Sequence, residues 1–313
     1  MSMSWIRTLA AAAGAGLAAA AGPAAASCLE NVNLSGPPAD VDYNPFQAAM
    51  EMSSPFTLVA ERRRAGQNQP RVVSVDLQFL PEGSPYAGSG INTYDLASGG
   101  VSVLSPTGMP FGGGSWVTID FNNNQPTSSM PIRLVVPARQ DAVAGFHEGR
   151  FGLAWRCTLS NGQSEEGQSA DFLRTTIDVA NRVRAVAVGG GTAGTLMVNP
   201  ATQEATGGLA IRSTGPFTIA ASSPTGFEMR LNNAGGASVP DDQRARYRLK
   251  VAGTVLSQPG ASLSCARTGL AGANLNVRTE LRDDPKALRA GNYMDVVTVE
   301  VTPQAFASGP GSC

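Results

Sequence analysis

The sequence predicts an all-β protein: two tandem Ig-like β-sandwich domains, the second lacking its final strand. Three observations carry that prediction. The 313 residues include 36 Gly and 21 Pro, and stretches with helical spacing of apolar residues are hard to find. Short segments that alternate apolar and polar residues recur, separated by turn-forming clusters such as Asn122–Pro126 and Ser160–Gln163. A degenerate repeat relates the two halves of the chain.

The chain opens on a segment that does not belong to the fold. Arg7 precedes an Ala/Leu/Gly stretch, and Ala24-Ala25-Ala26 supplies the small residues of a cleavage site. Residues 1–26 therefore read as a secretory signal peptide. The apolar run is short and ends at Pro23, which argues against a membrane anchor. Lipid attachment at Cys28 is the alternative at the mature end.

An N-terminal Ig-like domain is expected over residues 28–181. Its strand candidates are Phe56–Glu61, Val72–Phe79, Ser115–Phe121, Ile132–Val136, Phe151–Leu159 and Phe172–Val179. A C-terminal domain is expected over residues 182–313, joined near Asn181–Ala187. Its candidates are Leu209–Ile211, Phe217–Ala221, Phe227–Leu231, Tyr247–Val251, Leu275–Leu281 and Val296–Thr302. The repeat supports this division. "SPFTLVAERR" (Ser54–Arg63) is matched by "GPFTIAASSP" (Gly215–Pro224). Further on, Ile132–Arg156 parallels Val277–Val301: a strand, a polar loop, a Gly, an aromatic (Phe151 or Tyr293) and an alternating strand.

Composition excludes several function classes. Charged residues make up 15% of the chain and the net charge is −1, so no basic field exists to hold nucleic acid or a membrane surface. "ERRR" (Glu61–Arg64) reads as a solvated turn. Four cysteines, Cys28, Cys157, Cys265 and Cys313, in an exported chain predict two disulfides. Three connectivities are possible; one bridge per domain would pair Cys28 with Cys157 and Cys265 with Cys313. No CxxC or CxxH spacing is present, which argues against a zinc site; Asp283–Asp284 and Asp241–Asp242 offer only a weak calcium alternative, and no cofactor is expected.

Catalytic patterns are missing too. His147 is the single histidine, in the loop "AGFHEG", and there is no G-x-S-x-G elbow. "GGGTAG" (Gly189–Gly194) lacks the ending of a phosphate loop. Asp283 and Asp284 are neighbours on a turn and do not converge as a general acid and base must. An enzyme is not expected.

The two domain ends differ. The Phe151–Leu159 strand is followed by a polar loop, "SNGQSEEGQSA", and then by an alternating strand with Leu173, Thr175, Ile177 and Val179 on one face. The corresponding strand of the second domain, with Val297, Val299 and Val301 alternating, is followed only by "PQAFASGPGSC". An uncovered strand edge needs a partner, and a strand from another chain can supply it. Val297, Val299 and Val301 are the expected acceptor edge.

Several stretches resemble the spore coat protein U family, the subunits of archaic chaperone–usher pili. They are "VDYNPF" (Val41–Phe46), the Pro-Phe-Thr openings, "YRLKVAG" (Tyr247–Gly253) and above all "RAGNYMDVVTVEVT" (Arg289–Thr302). Gly291, Tyr293 and Asp295 before the Val/Thr strand fill the pattern with which such subunits end. The resemblance is best over Gly207–Thr302. It implies an incomplete Ig fold, a periplasmic chaperone that lends a strand, an outer-membrane usher, and a neighbouring pilin whose N-terminal arm replaces the chaperone. It implies export through the periplasm to the cell surface. Two-domain members of such systems are typically tip adhesins. Only Leu29, Val32 and Leu34 precede Pro37-Pro38 at the mature start, which makes a poor donor arm and favours the tip. The alternative is a free-standing periplasmic or lipid-anchored β-sandwich with no pilus role.

In tip adhesins of this type, loops of the first domain carry apolar residues. Met109, Pro110, Phe111 and Trp116 in the glycine-rich stretch Ser105–Trp116, and Tyr86, Ile91 and Tyr94 in Pro81–Tyr94, are the candidate surface-binding residues. The competing reading folds them back onto the sandwich core. The surface or host ligand is not named by the sequence.

Overall fold

The computed structural model describes residues 28–313 apart from 38, 67–68, 111–112, 123–124, 189–193, 200, 233–238 and 305–312. The expected signal peptide lies outside the described residues. The fold is all-β, and among the described strands none from residues 29–179 pairs with one from 183–303.

The first half contains β1 (Leu29–Ser35), β2 (Ala39–Tyr43), β3 (Glu51–Met52), β4 (Phe56–Arg62), β5 (Val72–Pro81), β6 (Asp95–Ser98), β7 (Val101–Ser102), β8 (Val117–Asp120), β9 (Thr127–Val136), β10 (Gly145–Leu159) and β11 (Ser164–Val179). One sheet runs β1-β4-β9-β6-β7, with β3 also on β9; the other runs β2-β11-β10-β5-β8. Alternation builds the core between them. Phe56, Leu58 and Ala60 of β4 and Ile132, Leu134 and Val136 of β9 point inward against Leu77, Phe79, Phe151 and Leu153 of the facing sheet. β11 closes this sandwich. It lies antiparallel to β10 and parallel to β2, and its Leu173, Thr175, Ile177 and Val179 are no more than 4% exposed.

The structure revises two expectations and locates the mature start. The "polar loop" after Leu159 is a tight turn at Ser160–Gln163 followed at once by β11, because Ser164–Ser169 pairs its backbone with Leu153–Thr158 although it has no apolar face. The mature start, expected to make a poor donor arm, is taken up within its own domain: β1 pairs with β4, and Cys28 is bonded to Cys157. Arg62 is not solvated. It is 7% exposed, donates to the carbonyls of Val72 and Asn122, and lies 5.6 Å from the Phe121 ring centroid, so it ties together the loops at that end of the sandwich.

The second half contains β12 (Val183–Val188), β13 (Glu204–Ser213), β14 (Phe217–Ser222), β15 (Glu228–Leu231), β16 (Arg244–Val251), β17 (Thr254–Val255), β18 (Ser262–Cys265), β19 (Gly269–Leu281), β20 (Tyr293–Met294) and β21 (Thr298–Pro303). The large sheet runs β12-β13-β19-β16-β15-β20, with β17 on β16; the small one runs β18-β14-β21. Most of the expected linker Asn181–Ala187 is therefore strand β12. The Pro-Phe-Thr repeat is not a structural equivalence. Phe56 opens β4, between β1 and β9, whereas Phe217 opens β14, between β18 and β21. The later repeat does keep its order, β9–loop–β10 against β19–loop–β20–β21. Cys265 and Cys313 form the second disulfide.

A strand-accepting groove as the candidate functional site

The Gly-x-Tyr-x-Asp stretch sets the start of β21. The Tyr293 hydroxyl donates to the carbonyls of Asp242 and Arg289, 2.7 and 2.8 Å away, which is the tyrosine corner of an Ig fold. Gly291 has φ +153°, a backbone conformation that L side chains rarely adopt, and a Cβ there would also push the Leu231 side chain aside. The Asp295 carboxylate accepts from Ser223 Oγ and Thr225 Oγ1, both at 2.8 Å, and from the Tyr247 hydroxyl. Burial, then the bond to Asp295, pushes the Tyr247 phenol well above its ordinary value, so it stays a donor. These motif residues are architectural: they aim the strand that follows.

That strand is paired on one side only. β21 runs antiparallel to β14 from Phe217↔Pro303 to Ser222↔Thr298, and no described strand is hydrogen-bonded along its other edge. Val299 and Val301 are half-buried against the core that contains Phe217, Ile219 and Ile211. Val297 touches a separate cluster of Phe227, Tyr247 and Leu249. Ala221 and Val277, both half-buried, are the side chains that touch the two clusters. The chain end is held away from this edge, since Cys313 is bonded to Cys265 on β18, across the sheet.

β12 forms the other wall. In its register with β13, Ala185 lies opposite Ile211 and Ala187 opposite Leu209. Ile211 and Leu209 are buried, so Ala185 and Ala187 share the inner face of the sheet, yet both are exposed. This stretch of the inner face is open to water. In the first sandwich the equivalent space between β2 and β10 is filled by β11.

The groove ends at the junction of the two sandwiches in an open cavity of about 370 Å³, lined by Asn44, Phe46, Arg182, Val183, Arg184 and Val301, among others. The junction is well tied. Asp141 pairs with Arg267 and accepts from the Leu270 amide at 2.8 Å. Asn181 Nδ2 donates to the carbonyls of Pro216 and Gln304, fixing the linker to the end of β21.

The expected binding residues separate into two groups. Tyr86 and Ile91 are 2% and 4% exposed, and Tyr94 packs half-buried beside them, so they are core residues and not loop tips. The Tyr86 hydroxyl shares a hydrogen bond with Thr175 Oγ1, its ring meets Tyr94 edge-on at 4.9 Å, and it occupies the space left by Gly149. Burial dominates the rise of its phenol above the ordinary range. Met109, in contrast, is 66% exposed. Pro110 is half-buried, and Phe111 lies outside the described residues. Trp116 is half-buried with the Arg156 guanidinium 5.7 Å from its ring centroid. The exposure of Ala185 and Ala187 is the site feature that sequence reasoning missed; an alternating "VRAVAV" was its only signal.

No protein-family model matches the chain, and no curated protein sequence matches it. Among solved structures, the chain is similar to a chain of the CsuC–CsuE chaperone–tip adhesion subunit pre-assembly complex from archaic chaperone–usher Csu pili of Acinetobacter baumannii. Identity is 13%, coverage is 87% of this chain and 100% of that one, and the TM-score is 0.43. It is also similar to the CupB6 tip adhesin from Pseudomonas aeruginosa, with 10% identity over 88% of this chain and 95% of that one, TM-score 0.37. A third is the CFA/I adhesin CfaE of enterotoxigenic E. coli, with 12% identity over 88% and 82%, TM-score 0.32. With TM-scores this low, the functional argument rests on the groove itself.

Proposed function

We propose that the chain is a tip or minor subunit of a chaperone–usher pilus that accepts a strand from a partner. The observation that carries this reading is the unpaired edge of β21 beside the exposed inner-face residues Ala185 and Ala187. Residues 182–313 form the acceptor domain, with Val297, Val299 and Val301 on its floor. Residues 28–181 form the binding domain. A periplasmic chaperone first covers the groove, and after the outer-membrane usher a neighbouring pilin fills it. The completing strand runs antiparallel to β21, as β11 runs to β10 in the closed sandwich. Leu29–Tyr43 is already used as β1 and β2 of its own sandwich, which supports a subunit that receives a strand without giving one. Surface contact falls to Met109, Pro110, Phe111 and Trp116; Tyr86, Ile91 and Tyr94 are spent on the core. The spore coat protein U resemblance of Arg289–Thr302 agrees with this role, because those residues build and aim the acceptor strand. The work is non-covalent.

The test uses the chain from residue 28 with both disulfides formed. An alternating apolar peptide added at a hundred times its Kd stabilises the acceptor domain by about 2.7 kcal/mol and raises its melting temperature. A chain that melts at one temperature whatever peptide is added has a closed sandwich, and the free-standing reading replaces this one.

A further inference from the structure

The groove carries its charge unevenly. Arg182 and Arg184 line the cavity at the junction end, and Arg184 lies directly across from Arg212 in the β12–β13 register. Among the described residues none of these three guanidiniums pairs with a carboxylate; Arg184 stacks on the Phe46 ring at 5.3 Å. Like charges in cross-strand register destabilise a sheet; Arg182 and Arg184 stand at the mouth of the open groove, with Arg212 behind Arg184 on the outer face of the sheet. Further along the acceptor strand, Glu300 faces outward from β21 and is exposed.

We infer that the groove reads the charge of its strand as well as its apolar face: it selects a donor with Asp or Glu at the end that enters the junction cavity. The inference rests on the strand-accepting reading. A strand antiparallel to β21 begins beside Pro303 and Val301 and runs toward Thr298. Its N-terminal residue therefore meets Arg182 and Arg184, and a later outward residue passes Glu300. An acid at the N-terminal end gains two cations, whereas an acid opposite Glu300 meets a like charge. The pattern fixes direction and register together, which the apolar alternation alone leaves open to slippage by two residues. The first sandwich takes part in this selection, because Phe46 holds Arg184 at the mouth.

Four labelled peptides with one apolar core test this against the disulfide-intact chain from residue 28. They carry Glu, Gln or Lys at the N-terminal end, or Glu at the C-terminal end. At low salt the N-terminal Glu peptide binds about fivefold more tightly than the Lys peptide, with Gln between them. The difference shrinks in 0.5 M NaCl (about a 4 Å screening length). The C-terminal Glu peptide gains nothing over Gln. In the chain carrying Arg182→Gln and Arg184→Gln, the Glu and Lys peptides bind alike, and unchanged Gln-peptide affinity shows that the groove is intact. Equal binding of all four peptides to the unaltered chain overturns the charge inference and leaves the acceptor reading standing. Binding of none overturns both.

Discussion

Replacing Val299 and Val301 together by threonine separates a strand acceptor from a closed sandwich. Both side chains are half-buried in the chain alone. A threonine there keeps the valine shape and can turn its hydroxyl toward the open edge, so the chain should lose no more than about 1 kcal/mol in total. A docked strand changes that. It covers both positions, and each hydroxyl is then buried with no assigned partner, which costs about 1–3 kcal/mol per group. Taking the lower figure at each site, binding weakens by about 2 kcal/mol, or about thirty-fold in Kd. Titration calorimetry with an alternating apolar peptide reads the affinity, and urea unfolding without peptide reads the chain. Thr302→Ser is the control, since that side chain is exposed, and should change neither. An affinity loss no larger than the loss of chain stability, or an equal loss from Thr302→Ser, would refute the reasoning.

Three further outcomes follow from the same geometry. Asp295→Ala removes the acceptor shared by Ser223, Thr225 and Tyr247. Bonds to a charged group are worth about 1.5–3 kcal/mol each and do not add fully within one network, so urea unfolding should show a loss of about 3 kcal/mol; a loss below about 1 would show that the network does not hold β21. Gly149→Ala places a Cβ 2.6 Å from the Tyr86 ring, and overpacking of this kind costs about 1–3 kcal/mol. An unchanged melting temperature would return Tyr86 to the surface loop. Lys250 bonds Glu280 at 2.7 Å and, with Arg278 beside it, holds its carboxyl below the usual range. That stabilisation is present above the ordinary carboxylate pKa and lost as pH falls through the depressed one. Glu280→Gln should therefore cost about 1 kcal/mol or less at pH 7, with the difference closing as pH falls below the ordinary carboxylate range; a gap that stays constant throughout acid titration would contradict the pairing.

What could be read from sequence follows a physical divide. Strands with strict alternation, such as Phe56–Glu61 and Tyr247–Val251, were legible because each has one buried face and one wet face. Among the described residues no strand follows β21 as β11 follows β10, in keeping with the expectation drawn from Val297, Val299 and Val301. Edge strands were not legible. β1 shows only Leu29, Val32 and Leu34 as apolar positions, and β12 reads as a linker because its inner residues are alanines. Tyr86 was misplaced for a different reason. Its burial depends on Thr175 and Gly149, far along the chain, and no local pattern announces a glycine that leaves room for a distant ring. Arg62 escaped likewise, since its acceptors are backbone carbonyls of two other loops.

The most direct test of the central claim is amide hydrogen exchange along β21 and β12, compared with β11. The Thr175–Val179 part of β11 is paired on both edges, with β10 and with β2, so its amides should be slow with or without peptide and serve as the β11 reference. Amides on the free edges of β21 and β12 should exchange fast in the chain alone, and those of β21 should become slow when an alternating apolar peptide is added. If β21 is already protected as strongly as β11 in the chain alone, the sandwich is closed and the account of a strand-accepting subunit is wrong.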